Sequence, residues 1–213
     1  MKAQDRRDHL GDVARGLFVT NGYRGTTTLA VAEAAGVSEA LLLKHFGTKE
    51  ALFREAIAEP VVSVLEQAVD ANRDRVRQGS MQDVADHLSG LTTFGVGWAG
   101  LVRQHGPLLL ALLREANEFP DVARQVADMV GAVVDQVADS LAALTEGEDY
   151  VDFDVRVATY AGLAGMGAAA LAGQDIESYM ERFVPILMFG LLSPLGRERL
   201  GAPAGSAAAM AGD

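Results

Sequence analysis

Side chains able to do covalent chemistry are sparse and scattered in this sequence. His9, His45, His87 and His105 share no metal-ligand spacing, and no two carboxylates stand out as an acid–base couple. Cysteine is absent, which excludes thiolate metal sites, disulfides and a cysteine nucleophile. Gly162, Gly165 and Gly167 lie in an alanine-rich helical pattern. They lack the strand-then-glycine context of a phosphate loop, so close helix packing explains them better. Neither an enzyme activity nor a cofactor is expected. One stretch does gather hydrogen-bonding side chains at a purposeful spacing. It runs Thr26-Thr27-Thr28-Leu29-Ala30-Val31-Ala32-Glu33-Ala34-Ala35-Gly36-Val37-Ser38, with Lys44, His45 and Lys49 following. The chain has only three lysines (Lys2, Lys44 and Lys49), and two of them fall here.

The elements that must position these residues are helical. Leu10, Val13, Ala14, Leu17 and Phe18 form an apolar stripe on a first helix, which Asn21-Gly22 ends because glycine reaches a left-handed conformation freely. Thr26 or Thr27 can cap a short second helix with Leu29, Val31, Ala32 and Ala35 as its candidate buried side chains. Gly36 turns the chain and Ser38 caps a third helix, with Leu42 and Phe46 inward. Gly47-Thr48 stops it and caps a fourth, expected to reach about residue 77 with a bend near Pro60. Further helices are expected over 81–104, 107–117, 120–145, 152–172 and 175–192. Gln78-Gly79-Ser80, Gly106-Pro107, Phe119-Pro120, Thr145-Glu146-Gly147 and Gly173-Gln174-Asp175 divide them, Pro185 kinks the last, and Pro194 and Gly196 close it. The fold class is therefore all-α: a three-helix helix-turn-helix head over 1–48, a larger helical domain over 49–200, and a disordered tail over 201–213, about nine helices in all. A helix, a glycine turn and a capped second helix present that second helix to a DNA major groove. An ordinary αα-corner is the competing reading of those residues alone.

The flanks favour the first reading. Asn21-Gly22-Tyr23-Arg24-Gly25-Thr26-Thr27, Ala35-Gly36-Val37-Ser38 and His45-Phe46-Gly47-Thr48-Lys49-Glu50-Ala51-Leu52 together resemble the tetracycline-repressor (TetR) family over about the first quarter of the chain. The resemblance implies a homodimeric repressor, bound to a double-stranded palindromic operator and released by a small-molecule effector. It also sorts the contacts. Thr27, Thr28, Lys44, His45 and Lys49 are expected on phosphates, and Ser38, Glu39, Ala40 and Leu41 nearest base edges. For the lysines the alternative is plain solvation, and for His45 it is capping or packing. The third helix departs from the family pattern. Relatives usually carry glycine at 40, often threonine at 41, and an aromatic at 43 whose hydroxyl typically reaches a phosphate. Here the run is Ala40-Leu41-Leu42-Leu43. Leu41 and Leu43 could favour a thymine methyl, pack against the head, or reflect weak binding. That run keeps alive a second reading, a helical ligand- or protein-binding dimer whose head no longer reads DNA.

In the body, Phe94, Trp98, Leu101 and Val102 share one helical face, and Leu109, Leu113, Met129 and Val133 could complete a ligand lining. Plain core is the competing reading of such a stripe. Arg103, His105, Arg114 and Glu118 are candidate polar anchors, and the expected ligand is largely apolar. The small-residue run from Tyr160 to Gly173, followed by Ile176, Tyr179, Met180, Phe183, Leu187 and Leu191, suits close helix packing across a two-fold dimer or within one subunit. The net charge of −11 is uneven. Residues 1–60 hold eight basic and eight acidic side chains, so the ten basic and 21 acidic residues that remain carry all the excess. A neutral head permits DNA binding without arguing for it. No secretory segment is expected from the charged start, and Val157 to Gln174 falls short of a membrane span. With cysteine absent, a cytoplasmic location is expected.

Overall fold

A computed structural model describes residues 3–78, 84–144, 154–176, 178–180, 182 and 183, and every regular element among them is helical. The helices are α1 (Ala3–Gly25), α2 (Thr28–Ala34), α3 (Glu39–Phe46), α4 (Lys49–Phe53), α5 (Glu59–Gln78), α6 (Val84–Arg114), α7 (Pro120–Leu144) and α8 (Val155–Leu171). One π-helical turn, Arg54–Ala58, joins α4 to α5. Contacts divide the chain into two compact units. The first comprises Met1–Gln67 and Gln104–Val130, and the second Ala68–Arg103 and Gly131–Asp213.

Local chemistry sets the boundaries in the first unit. The first helix breaks at Gly22, where φ is 77° and a Cβ would meet the Glu115 carboxylate at 2.8 Å. Thr26 is buried and its hydroxyl donates back to Gly22 O at 2.8 Å, so Thr27 is the residue that caps α2, accepting from Ala30 N at 3.0 Å. Ser38 and Thr48 cap α3 and α4 in the same way. Val31 and Ala32 are buried as expected, whereas Leu29 is 52% exposed and Ala35 only half-buried. Leu29 lies two residues before Val31, about 200° around the helix, so the two cannot share a face.

The expected bend at Pro60 takes the form of the π-turn. Proline has no N–H for the Ala56 carbonyl four residues back. The preceding turn widens so that Glu59 N–H reaches Arg54 O, and the Arg15 guanidinium takes Ala56 O at 3.0 Å. At Gly106-Pro107 the expectation of two helices fails, because α6 continues through Pro107 to Arg114. A single missing ladder bond is tolerated where the residues beyond it, Leu108 to Leu113, form helix well. Pro120 instead opens α7, where its missing N–H would have had no helical partner. The expected punctuation at Gln78-Gly79-Ser80, Thr145-Glu146-Gly147, Pro185, Pro194 and Gly196, Leu187 and Leu191, and the tail over 201–213, lie wholly or partly outside the described residues.

Four rings form the heart of the first unit. Phe53 stacks on Phe119 with centroids 4.4 Å apart, and Tyr23 meets Phe53 and Phe119 edge-on at 5.3 and 5.0 Å. Phe18 meets Phe53 edge-on at 5.1 Å. In the second unit, α8 turns Thr159, Gly162, Leu163, Met166, Ala169 and Ala170 inward. Gly162 lies 3.7 Å from the Phe183 ring and Gly165 3.1 Å from the Tyr179 hydroxyl, measured from where a Cβ would stand. The glycines of that run thus serve close packing.

Candidate nucleic-acid interface

Helix α3 is held from three sides. Leu42 and Phe46 are buried, at 0 and 6% exposure, and fix which face turns inward. Ser38 caps its start. At its end, Arg7 donates to the His45 carbonyl, one of the acceptors that a helix C-terminus leaves unpaired. The same guanidinium makes a two-pronged pair with Glu55, Nε to Oε1 at 2.7 Å and Nη2 to Oε2 at 2.5 Å, and lies 4.6 Å from the Phe46 ring centroid. The Glu55 hydrogen bond, opposed by partial burial, raises the Arg7 pKa further, so its charge is permanent. Nothing in the sequence marks Arg7 as a site residue. Its partners lie 38 and 48 positions away, and no local pattern could announce them.

The expected contact residues divide by what already occupies them. Thr27 and Ser38 are exposed, but their hydroxyls accept cap N–H groups. The Thr28 hydroxyl donates to Glu39, tying α2 to the start of α3. Ala40, Leu43 and Lys44 are exposed on one face at i, i+3 and i+4, with Leu41 half-buried beside them. His45 is half-buried. The Lys49 ammonium stands 4.4 Å above the Tyr23 ring, a cation–π contact at the edge of the aromatic cluster.

A second set of contacts joins the head to the corner between α6 and α7, all within the first unit. Buried Glu115 accepts the Tyr23 N–H at 3.0 Å, and Arg114 donates to Phe18 O at 2.9 Å. Arg24 pairs with Glu118, and Arg54 with Asp121 at 2.8 Å. The hydrogen bond from Arg54 holds the Asp121 carboxyl below its ordinary pKa, and burial lifts that of the Tyr23 phenol. Arg114 and Glu118, candidate ligand anchors by sequence, are engaged here instead.

Of the eight candidate lining residues, Phe94, Trp98, Leu101, Val102 and Val133 belong to the second unit, and Leu109, Leu113 and Met129 to the first. Val102 and Val133 are buried, while Leu113 is 49% exposed. The Trp98 indole donates to Leu163 O of α8 at 3.2 Å. A groove of about 380 Å³ in the first unit is lined instead by Arg54, Ala58, Glu59, Val62, Ser63 and Val122, among others. Among the described residues no group of three or more histidines or carboxylates could hold a metal, and no helix is long and apolar enough to cross a membrane.

Residues 10–56 match the family model for bacterial regulatory proteins of the tetR family. The repressor AcnR of Corynebacterium efficiens is 30% identical over 82 residues, which cover 38% of this chain and 44% of that protein. The repressor KstR2 of Rhodococcus jostii is 31% identical over 107 residues, covering 39% of this chain and 52% of that protein. The chain therefore spans about half the length of these relatives. Among solved structures, the ketosteroid transcriptional regulator KstR2 of Mycobacterium tuberculosis has a TM-score of 0.67 at 19% identity, over 90% of this chain and 97% of that one. PfmR of Thermus thermophilus has a TM-score of 0.63 at 21% identity, over 84% and 96%. At these identities the structural likeness speaks for the fold.

Proposed function

We propose that this chain, whose residues 10–56 match the family model for bacterial regulatory proteins of the tetR family, is a ligand-responsive transcriptional repressor that binds a palindromic operator as a homodimer. One observation carries the reading. Capped α3 stands behind a glycine turn at Gly36 (φ 67°), with Leu42 and Phe46 inward and Ala40, Leu43 and Lys44 outward. That is the geometry of a helix offered to a major groove. Two such helices about 34–36 Å apart would engage successive turns of one DNA face.

The dimer reading rests on α8. Val157, Tyr160 and Leu171 are 63, 49 and 51% exposed, and Ala161, Ala164 and Ala168 continue the same stripe between them. This apolar seam lies opposite the face that α8 packs inward, and a second copy would cover it. The effector is a small, largely apolar molecule, for which Phe94, Trp98, Leu101, Val102 and Val133 are the proposed lining in the second unit. Such a molecule releases DNA only to the extent that it binds the non-operator state better.

Mobility-shift titration on the DNA flanking its own gene, across a salt series, tests the reading. Affinity no better than for random duplex of equal length would sink it in favour of a dimer that no longer reads DNA. The salt slope is itself predicted. Among the described residues of the head, Arg7, Arg15, Arg24 and Arg54 are engaged with carboxylates, while Arg6 and Lys44 enter no ion pair and Lys49 rests on Tyr23. Two or three phosphate contacts per head give a log–log slope of about −4 to −5 for a dimer. Lys44→Ala should flatten it by about two.

A further inference from the structure

The middle of the outward face of α3 is apolar, and the polar side chains at its start are engaged within the head. The Ser38 hydroxyl accepts Leu41 N–H at 3.3 Å, and the Glu39 carboxylate accepts the Thr28 hydroxyl. Leu42 and Phe46 serve the core. What α3 leaves facing outward in its middle turns is Ala40, half-buried Leu41, Leu43 at 37% exposure, and Lys44. Leu43 follows buried Leu42 by one residue, about 100° around the helix, and so lies on the face that turns outward. An exposed leucine on a short helix gives up the stabilisation that burial would bring, unless a partner buries it. In the major groove the bases offer one apolar group, the C5-methyl of thymine; the other features that distinguish them are hydrogen-bond donors and acceptors. Lys44, exposed and outside every ion pair described, lies on the same arc and supplies the charge complementarity that would seat the leucines beside a phosphate backbone.

We propose that Leu41 and Leu43, flanked by Ala40, select thymine in each operator half-site through its C5-methyl group. The proposal rests on the reading of α3 as the recognition helix, and the experiment separates the two. The full-length protein is used to enrich binding sites from a random duplex library of about 30 base pairs made with thymine, long enough for two half-sites one helical turn apart. The enriched duplex is then resynthesised with deoxyuridine at single thymine positions, which removes the methyl and leaves the hydrogen-bonding pattern intact. Affinity is expected to fall about fourfold for each contacted methyl, the worth of one buried methyl-sized group, and about fifteenfold when both half-sites are changed. A 5-methylcytosine·guanine pair at such a position restores affinity relative to unmethylated cytosine·guanine, because the methyl returns while the oxygen acceptor does not. Leu43→Ala, an exposed position whose replacement leaves the core untouched, binds the thymine and uracil duplexes alike if Leu43 is the principal reader; Leu41→Ala does so if Leu41 is. Failure to enrich any sequence overturns the operator reading itself. Enrichment of a site whose uracil form binds equally well leaves that reading intact and overturns this proposal.

Discussion

Arg7 bears on the proposed DNA-binding surface without needing to touch DNA itself. Its guanidinium joins three things: the C-terminal carbonyl of α3, the Phe46 ring, and both oxygens of Glu55 in the π-turn. Both partners of the ion pair are about one-third exposed, so solvent screening keeps the charge contribution modest. Arg7→Ala should lower stability by about 1 kcal/mol in urea unfolding and weaken DNA binding by loosening α3. Arg7→Lys should recover less than half of that loss, since an ammonium cannot make a two-pronged pair. Full recovery by lysine would show that charge alone is what matters at this position.

The π-turn is a case of one element shaped by another. Pro60 deprives the Ala56 carbonyl of a ladder partner, and Arg15 of α1 supplies one. Ala56 is only 1% exposed, so losing Arg15 strands its oxygen. Arg15→Ala is expected to cost about 1–2 kcal/mol, read from urea midpoints, when Pro60 is present. In a Pro60→Ala background the cost should be smaller, because the substituted residue restores an N–H to that oxygen. Equal costs in the two backgrounds would mean that the pair is not coupled. Pro107 carries the opposite lesson. Composition makes Gly106-Pro107 a divider, yet α6 runs through it. Whether a proline breaks a helix depends on the helix-forming strength and packing around it, and the dipeptide encodes neither.

At the scale of the whole molecule, charge is unevenly distributed along the chain. The first 60 residues carry no net formal charge and the rest are acidic, so the proposed DNA affinity would rest on a few uncommitted cations. In the second unit, the exposed seam of α8 is a continuous apolar stripe three turns long or more, from Val157 to Leu171. Ala164→Glu would place a carboxylate in its centre and raise the dissociation constant of the proposed dimer by about 100-fold or more, visible as a monomer in sedimentation. A variant that remains dimeric would locate the interface elsewhere.

Much of the head is legible from local chemistry. Gly22, Gly36 and Gly47 adopt positive φ, Thr27, Ser38 and Thr48 cap helices, and Leu42 and Phe46 face inward, because turns, caps and helical periodicity act over a few residues. The candidate contacts 39–45 likewise lie on one short helix, set by the Ser38 cap and the Gly47 stop. Other features are decided only when the chain closes on itself. Thr28 meets Glu39, Arg7 meets Glu55, Lys49 meets Tyr23, and Phe119, which by sequence only marks a boundary, is 1% exposed beneath Phe53. These pairings join residues 11 to 66 positions apart. Which donors and cations remain free for a ligand is therefore a property of the folded head, since the fold engages some polar groups internally and leaves others to water.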